Sequence, residues 1–466
     1  VSEPTKADLV IHGGVVVNAG GSRPATVAIA DGRVIGLTDP ALTLPPHRRA
    51  IDANGALVIP GGVDPHCHIG QQLEYHQALD DYASASVAAL HGGTTTVIDF
   101  AIPGAGVAPL AEVRARRELA RVSRCDTALH GCVIDWDDTT ADQITTMAAE
   151  GVRTVKLFTT YRDAVMAAPE TVLRVMRALR EVSGLAYVHA EANHVIEDAQ
   201  ATAARLGGGH AADMPSTRPE LAEAAAVAQV LATAEHVGAP VYFVHLTTAA
   251  ATDLVRRARQ RGVVAYAETC PHYLALDESV YGGEHPERYV CCPPLRAAAS
   301  VAELRARTMA GQVDTIGSDH CCFSTEQKAS GRQDVTLAPN GLPGVETRLP
   351  VAYTELVLRQ KLSVERFVAL FATNPARLNG LSGKGSISVG ADADLVLIDP
   401  AATRPARAAD LHMATDYTPF EGRELGGWPR VVVSGGRVVL DEQGFHDPGP
   451  VGRALAADPL PGQLLT

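Results

Sequence analysis

Between residues 61 and 320 the chain repeats one pattern eight times: a short run rich in β-branched residues, then a stretch of helical period. The strand-like runs are GGVDPH from 61, TTTVIDF from 94, ALHGCVID from 128 and TVKLF from 154. They continue with AYVHAE from 186, VYFVHLT from 241, VVAYAET from 263 and DTIGSDH from 314. Segments such as LAEVRARRELARV and PETVLRVMRALREV lie between them, with apolar residues three and four apart. Strands alternating with helices require a mostly parallel sheet covered on its faces, and eight such units point to a (β/α)₈ barrel with insertions. A doubly wound open sheet is the alternative that pattern alone leaves standing.

The ends of the chain read differently. VIHGGVVVN, TVAIADGRVIGL and GALVIP near the N-terminus are short strands with Gly and Asp-Gly turns between them. ADLVLIDP and RVVVSGGRVVL repeat that pattern near the C-terminus. Residues 1–60 and 385–445 are therefore expected to form one small β-sandwich domain. The barrel spans 61–384 between its halves, and 446–466 is a C-terminal tail.

In a barrel the C-terminal ends of the strands converge on one mouth, where active sites of this fold lie. Strand 1 ends in His66 and His68, which share a face because side chains alternate along a strand. Strand 4 carries Lys156, strand 5 ends in His189, strand 6 in His245 and strand 8 in Asp319. One histidine at a strand end is most often a satisfied, partly buried ring. Four imidazoles and a carboxylate on separate strands at the same end suit divalent ions of the zinc type.

Lys156 is out of place among cations, and it stands out for a second reason. The chain has 35 arginines and only five lysines: Lys6, Lys156, Lys328, Lys361 and Lys384. A lysine near the mouth could simply pair with a carboxylate. Alternatively, burial and neighbouring cations keep its amine neutral, and a neutral amine adds CO₂ to give a carbamate, an anion able to bridge two metal ions.

Composition removes other classes. The formal charge of −13 argues against nucleic acid or an anionic membrane as partner. Eight cysteines without CxxC spacing read as reduced thiols of a cytoplasmic protein. The first residues carry no signal-peptide pattern, and no apolar run is long enough to span a membrane.

PGGVDPHCH, GGTTTVIDF, VKLFTTY, HAE, AETCPHYL, PPLR, GSDHC, NGLPGVETRLP, TNPARL and ADADLVLIDP occur in this order along nearly the whole chain. The chain thereby resembles the dihydropyrimidinase/hydantoinase branch of the amidohydrolase superfamily. The resemblance implies a barrel with a β-sandwich-like domain built from both chain ends, and hydrolytic opening of a cyclic amide to an N-carbamoyl amino acid. It implies two divalent ions, zinc by the ligand chemistry: one on His66, His68 and Asp319, one on His189 and His245, bridged by N6-carboxylated Lys156 and a hydroxide. It gives Tyr161 the role of hydrogen-bond donor to the substrate carbonyl and the oxyanion. Cys292 and Asn340 would bind the ring amides through backbone groups, and Asp319 would shuttle the proton. A homotetramer is the assembly it implies.

Four places depart from the family pattern. Cys292 stands where Ser is usual. The loop after the histidine pair is polar, with Gln71, Gln72, Glu74 and His76. Thr159 and Thr160 replace Met-Ala, and Ala192-Asn193 replaces an Asn directly after HAE. The loop and the threonines are expected to make the substrate wall polar and to favour a small or polar ring substituent. Ile69, Gly70 and Gln71 occupy the place where dihydroorotases and allantoinases usually carry an Arg, so those reactions, like cyclic imide hydrolysis, rank as alternatives. A non-catalytic scaffold relative would have lost metal ligands, and a mononuclear deaminase would lack the strand-4 lysine; this sequence has every one of these positions filled.

Overall fold

The computed structural model describes residues 6–73 and 76–460. The eight expected strands all form: β1 (Gly62–Cys67), β2 (Thr94–Phe100), β3 (Asp126–Cys132), β4 (Thr154–Phe158), β5 (Leu185–His189), β6 (Val241–Phe243), β7 (Ala265–Thr269) and β8 (Thr315–Ile316). They pair in parallel, each with its sequence neighbour, in one eight-stranded sheet. The sheet closes where His68 N–H donates to His320 C=O at 2.8 Å and Cys67 bridges His320 in parallel. That closure selects the barrel over the doubly wound sheet. Every residue of these strands is buried, as expected when helices cover the outside and side chains fill the inside.

The helices follow the sequence pattern. The run PETVLRVMRALRE forms Pro169–Glu181, with proline in its first turn, where the missing N–H costs no bond. Its buried side chains Val172, Val175, Met176 and Leu179 recur three and four apart and face the barrel.

Strands from both chain ends join in a single nine-stranded sheet. Leu395–Ile398 inserts beside Leu57–Pro60 on one side and pairs with Pro429–Ser434 on the other. Lys384 ties this sheet to the barrel. Its ammonium contacts Asp126 of β3 at 2.5 Å, Asp392 at 3.1 Å, and Asp394. The last described residues run back along the barrel: Leu455 N–H bonds Thr127 C=O at 2.7 Å and Leu460 N–H bonds Ser183 C=O at 3.0 Å. Among the described residues no helix is long and apolar enough to cross a membrane.

Candidate active site

The barrel mouth gathers every residue that the strand-end pattern selects. His66 lies within β1 and His68 just past it. Their Nε2 atoms stand 3.3 Å apart, and Asp319 Oδ1 lies 3.0 Å from the first and 3.4 Å from the second. Such edges are the spacing of ligands that each lie about 2.0–2.1 Å from one ion at a near-tetrahedral angle. The other two imidazoles continue the row: the His66 and His245 ring centres are 5.3 Å apart, and those of His245 and His189 are 4.6 Å apart.

Carboxylates behind the rings set their orientation. His66 Nδ1 bonds Glu268 Oε1 at 2.6 Å, so its Nε2 faces the centre. His189 Nε2 bonds Glu191 Oε2 at 2.7 Å, which turns its Nδ1 inward. Glu268 also accepts from the backbone N–H of His245 at 3.0 Å and from Tyr242 Oη at 2.7 Å. A carboxylate behind a ligating imidazole fixes the tautomer and raises its basicity. His130, also near a strand end, takes no part: Thr154 Oγ1 at 2.7 Å and Pro65 O at 3.0 Å occupy both its nitrogens.

Three site residues, Tyr161, His245 and Asp319, have φ of +70°, +40° and +50°. Left-handed backbone is disfavoured for side chains of this size and persists where the surroundings enforce it, often at functional sites. Gly317 permits the last of these turns to pack close. A Cβ there would lie 2.8 Å from His66 Cβ and 2.9 Å from the Glu268 carboxylate.

The five lysines have separate environments. Lys6 and Lys361 are exposed. Lys384 is held by its three aspartates. Lys328 is buried and donates to three carbonyls, Val290 and Pro339 at 2.7 Å and Gly341 at 2.6 Å. Lys156 is equally buried, yet its Nζ has no hydrogen-bond partner among the described residues. The Phe100 ring centre lies 4.3 Å from that Nζ and the Phe158 ring centre 5.0 Å away. Burial pushes the amine down to about 8, against the pull of Asp319 and Glu268. The structure thus excludes a pairing lysine at this position. His68 Nδ1 and His245 Nδ1 are likewise buried without partners. Unsatisfied polar atoms are costly in a core, so the unpaired Lys156 amine among these imidazoles fits a site completed by bound ions.

A cavity of about 1220 Å³ opens over this centre, and Tyr161, Cys292 and Asn340 line it. The Cys292 thiol donates to Asn340 Oδ1 at 3.0 Å. The side chain expected to be passive therefore makes a side-chain bond as well. Burial pushes this thiol up to about 11, so it stays protonated. Gln71, Gln72 and His76 line the cavity, as the polar loop suggested; Glu74 lies outside the described residues. Thr159 and Thr160 do not line it. Thr159 Oγ1 donates to Glu191 C=O at 2.8 Å, and Thr160 Oγ1 donates to Asn193 Oδ1 at 3.1 Å. A threonine hydroxyl beside backbone carbonyls satisfies them in preference to facing a solvent-filled cavity. Of these two departures from the family pattern, only the loop reaches the cavity wall.

Glu268, Glu191, Phe100, Asp64, which accepts from the backbone N–H groups of His66 at 3.3 Å and Ser318 at 3.0 Å, and Arg218, which pairs with Glu191, are the neighbours that strand-end reasoning passes over. The motifs AET, HAE, GGVDPH and GGTTTVIDF do contain four of them. Nothing in those motifs says which residues stand behind a ligand and which beside it.

An eight-stranded barrel with four imidazoles, two of them oriented by carboxylates, an aspartate and an unpaired buried lysine at its mouth defines a metal-dependent hydrolase. Residues 57–439 match the model of the amidohydrolase family. Rat dihydropyrimidinase is 36% identical over 464 residues, covering 97% of this chain and 89% of the rat protein. The D-hydantoinase of Rhizobium radiobacter is 36% identical over 443 residues, covering 93% and 95%. The crystal structure of dihydropyrimidinase from Brevibacillus agri superposes with a TM-score of 0.93 at 32% identity, covering 97% of this chain and 99% of that one. The chain belongs to the amidohydrolase family, in the branch of the dihydropyrimidinases and hydantoinases. It is a hydrolase of cyclic amides that uses divalent metal.

Proposed function

We propose that this enzyme opens a dihydropyrimidine or hydantoin ring at its amide C–N bond, releasing an N-carbamoyl amino acid. The observation that carries this reading is Lys156, a buried amine with no partner in the middle of four imidazoles. His66, His68 and Asp319 would hold one ion, His189 and His245 a second, and a carbamate on Lys156 would join them. The donor set favours zinc. Bound there, the two ions would polarise the carbonyl and acidify water.

The chain's own residues supply the rest. Phe100 and Phe158 keep water from Lys156, and an amine at about 8 has a far larger neutral fraction at pH 7 than an ordinary lysine. The neutral nitrogen attacks CO₂: an N–C bond forms, one C–O π bond opens to leave the charge on oxygen, and one N–H proton leaves to solvent. Tyr161 donates its hydroxyl hydrogen to the substrate carbonyl oxygen and holds it as charge develops. Asp319 takes a proton from the attacking water and returns it to the leaving nitrogen. Backbone groups of Cys292 and Asn340 orient the ring amides. Gln71, Gln72 and His76 in the cavity wall favour a small or polar substituent.

The test is direct. The metal-loaded protein is given dihydrouracil, hydantoin and 5-phenylhydantoin, and metal content and ureido product are measured. About two ions per chain and turnover of the first two substrates are expected. No ring opening on any of them overturns the reading, and a strong preference for the phenyl compound overturns the polar-wall part. We also infer a homotetramer, from the family resemblance, which light scattering checks. The eight cysteines, all free and buried, support a reducing, cytoplasmic compartment.

A further inference from the structure

Arg218 stands in the turn between the short helix Met214–Thr217 and the long helix Glu220–Val237. It is buried, yet it lines the active-site cavity. Its Nε donates to Glu191 Oε1 at 3.2 Å, and its Nη2 pairs with Glu191 Oε2. The same Oε2 holds His189. On its other side the guanidinium carbon lies 5.1 Å from the centre of the Tyr161 ring. One cation therefore touches both the carboxylate behind a metal-ligand imidazole and the aromatic ring of the proposed oxyanion donor.

This position is braced from outside the site. The Arg218 carbonyl accepts from Arg296 Nη1 at 2.5 Å, and Arg296 Nε donates to Thr247 Oγ1 at 2.9 Å. Thr247 Oγ1 in turn donates to Glu223 Oε2 at 2.7 Å, on the helix that follows Arg218. Tyr161 needs such bracing. Its φ of +70° is disfavoured for a tyrosine and is kept only where neighbours enforce it. Its ring lies against Phe158, with centres 6.1 Å apart, against His189 at 5.3 Å, and against the guanidinium.

We propose that Arg218 is a positioning residue for Tyr161. The attraction between guanidinium and ring face fixes the ring plane. The positive charge also favours the phenol as a donor when negative charge develops on the substrate oxygen. Glu191 neutralises Arg218, so the cavity does not present a free cation that would trap anions. The inference rests on the reading of Tyr161 as oxyanion donor.

The test uses the metal-loaded full chain with dihydrouracil and hydantoin. In Arg218→Met, kcat falls on the order of 10–100-fold while KM stays within about threefold. Metal content is unchanged, and Arg218→Lys, which retains a cation, recovers part of the rate. In a Tyr161→Phe background the same Met substitution costs little more, because both act through one group. Loss of bound metal in Arg218→Met overturns the proposal, since Arg218 would then act through Glu191 and His189. Full multiplication of the two losses, a rise in KM alone, or an unchanged kcat also overturns it. If Arg218→Met does not fold, Arg218→Lys and Arg218→Gln carry the same comparison. Wild-type protein that opens neither ring overturns the reading of the site itself, and the inference with it.

Discussion

The hydroxyl of Thr160 donates to the side-chain oxygen of Asn193 at 3.1 Å. Each residue departs from the family pattern, and the two departures are partners. One sits after β4 and the other begins the helix Asn193–Arg205 after β5, so the bond ties together two loops at the barrel mouth. Thr160→Ala or Asn193→Ala alone is expected to cost about 1 kcal/mol, the worth of a buried neutral hydrogen bond. The double variant should cost less than the sum, by roughly 0.5–1.5 kcal/mol, in a denaturant double-mutant cycle.

Lys156→Ala should lower kcat/KM by on the order of 10⁴-fold and release bound metal, measured by elemental analysis. Short carboxylic acids, which can occupy the space of a carbamate, should restore part of both. At a fixed concentration of dissolved CO₂, the rate at which metal-free protein is reactivated by CO₂ and zinc should rise with pH and level off above about 8, where most of the buried amine is neutral. Full activity in Lys156→Ala would contradict the bridging role.

Lys328→Met should destabilise the fold by about 2–4 kcal/mol, because three buried carbonyls lose their common donor. Those carbonyls belong to Val290, Pro339 and Gly341, which flank Cys292 and Asn340. KM should rise with the loss of stability, and denaturation and kinetics read the two effects separately.

Cys292→Ser keeps a donor for Asn340 and should leave KM within a few-fold of wild type. Cys292→Ala removes it and leaves the Asn340 oxygen unpaired, which should raise KM by roughly 5–10-fold, equivalent to about 1 kcal/mol. Equal KM values in the two variants would show that the thiol bond is idle.

His91, His412 and Glu346 form a second cluster of metal-binding side-chain types. The two rings stack face to face with centres 3.4 Å apart and planes 11° from parallel, so their in-plane lone pairs run side by side and do not converge on an ion. Burial and the neighbouring His412 and Arg404 hold His91 down at about 4. A histidine lowered on folding adds stability that is fully present above its ordinary value near 6.5 and is lost as pH falls toward 4. Melting temperature should drop over that window, and His91→Gln should flatten the drop. The difference should be about 1–2 kcal/mol, reduced from the full shift because the ring is partly solvated.

Much of the site was legible because barrel topology converts position along a strand into position in space. Residues at eight strand ends meet whatever their separation in sequence, so His66, His68, Lys156, His189, His245 and Asp319 could be selected together. The split small domain was legible for a related reason: both chain ends carry matching strand patterns, and a strand needs a partner.

The residues behind that set were not legible in the same way. Glu268 and Asp64 are each one acid in a strand, and no spacing rule distinguishes a carboxylate that holds an imidazole, as Glu268 does, from one that accepts backbone N–H groups, as Asp64 does. The threonines after β4 were expected in the cavity wall, but backbone carbonyls of the next strand end lie within reach of one and Asn193 within reach of the other. Arg218 lies 57 residues from Tyr161 in a turn of no regular period. Only the packing of that turn over the mouth brings its charge to the ring.

By itself the sequence determined the order of strands and helices, the faces they bury and the chemical types at the mouth, because these follow from local periodicity and topology. Tertiary structure decided pairing. Lys156 and Lys328 are both buried lysines, alike in the sequence. One has three carbonyls within hydrogen-bond reach and the other two aromatic rings. Burial lowers both amines to about 8; the first environment holds its amine in hydrogen bonds, and the second leaves it unpaired and open to chemistry.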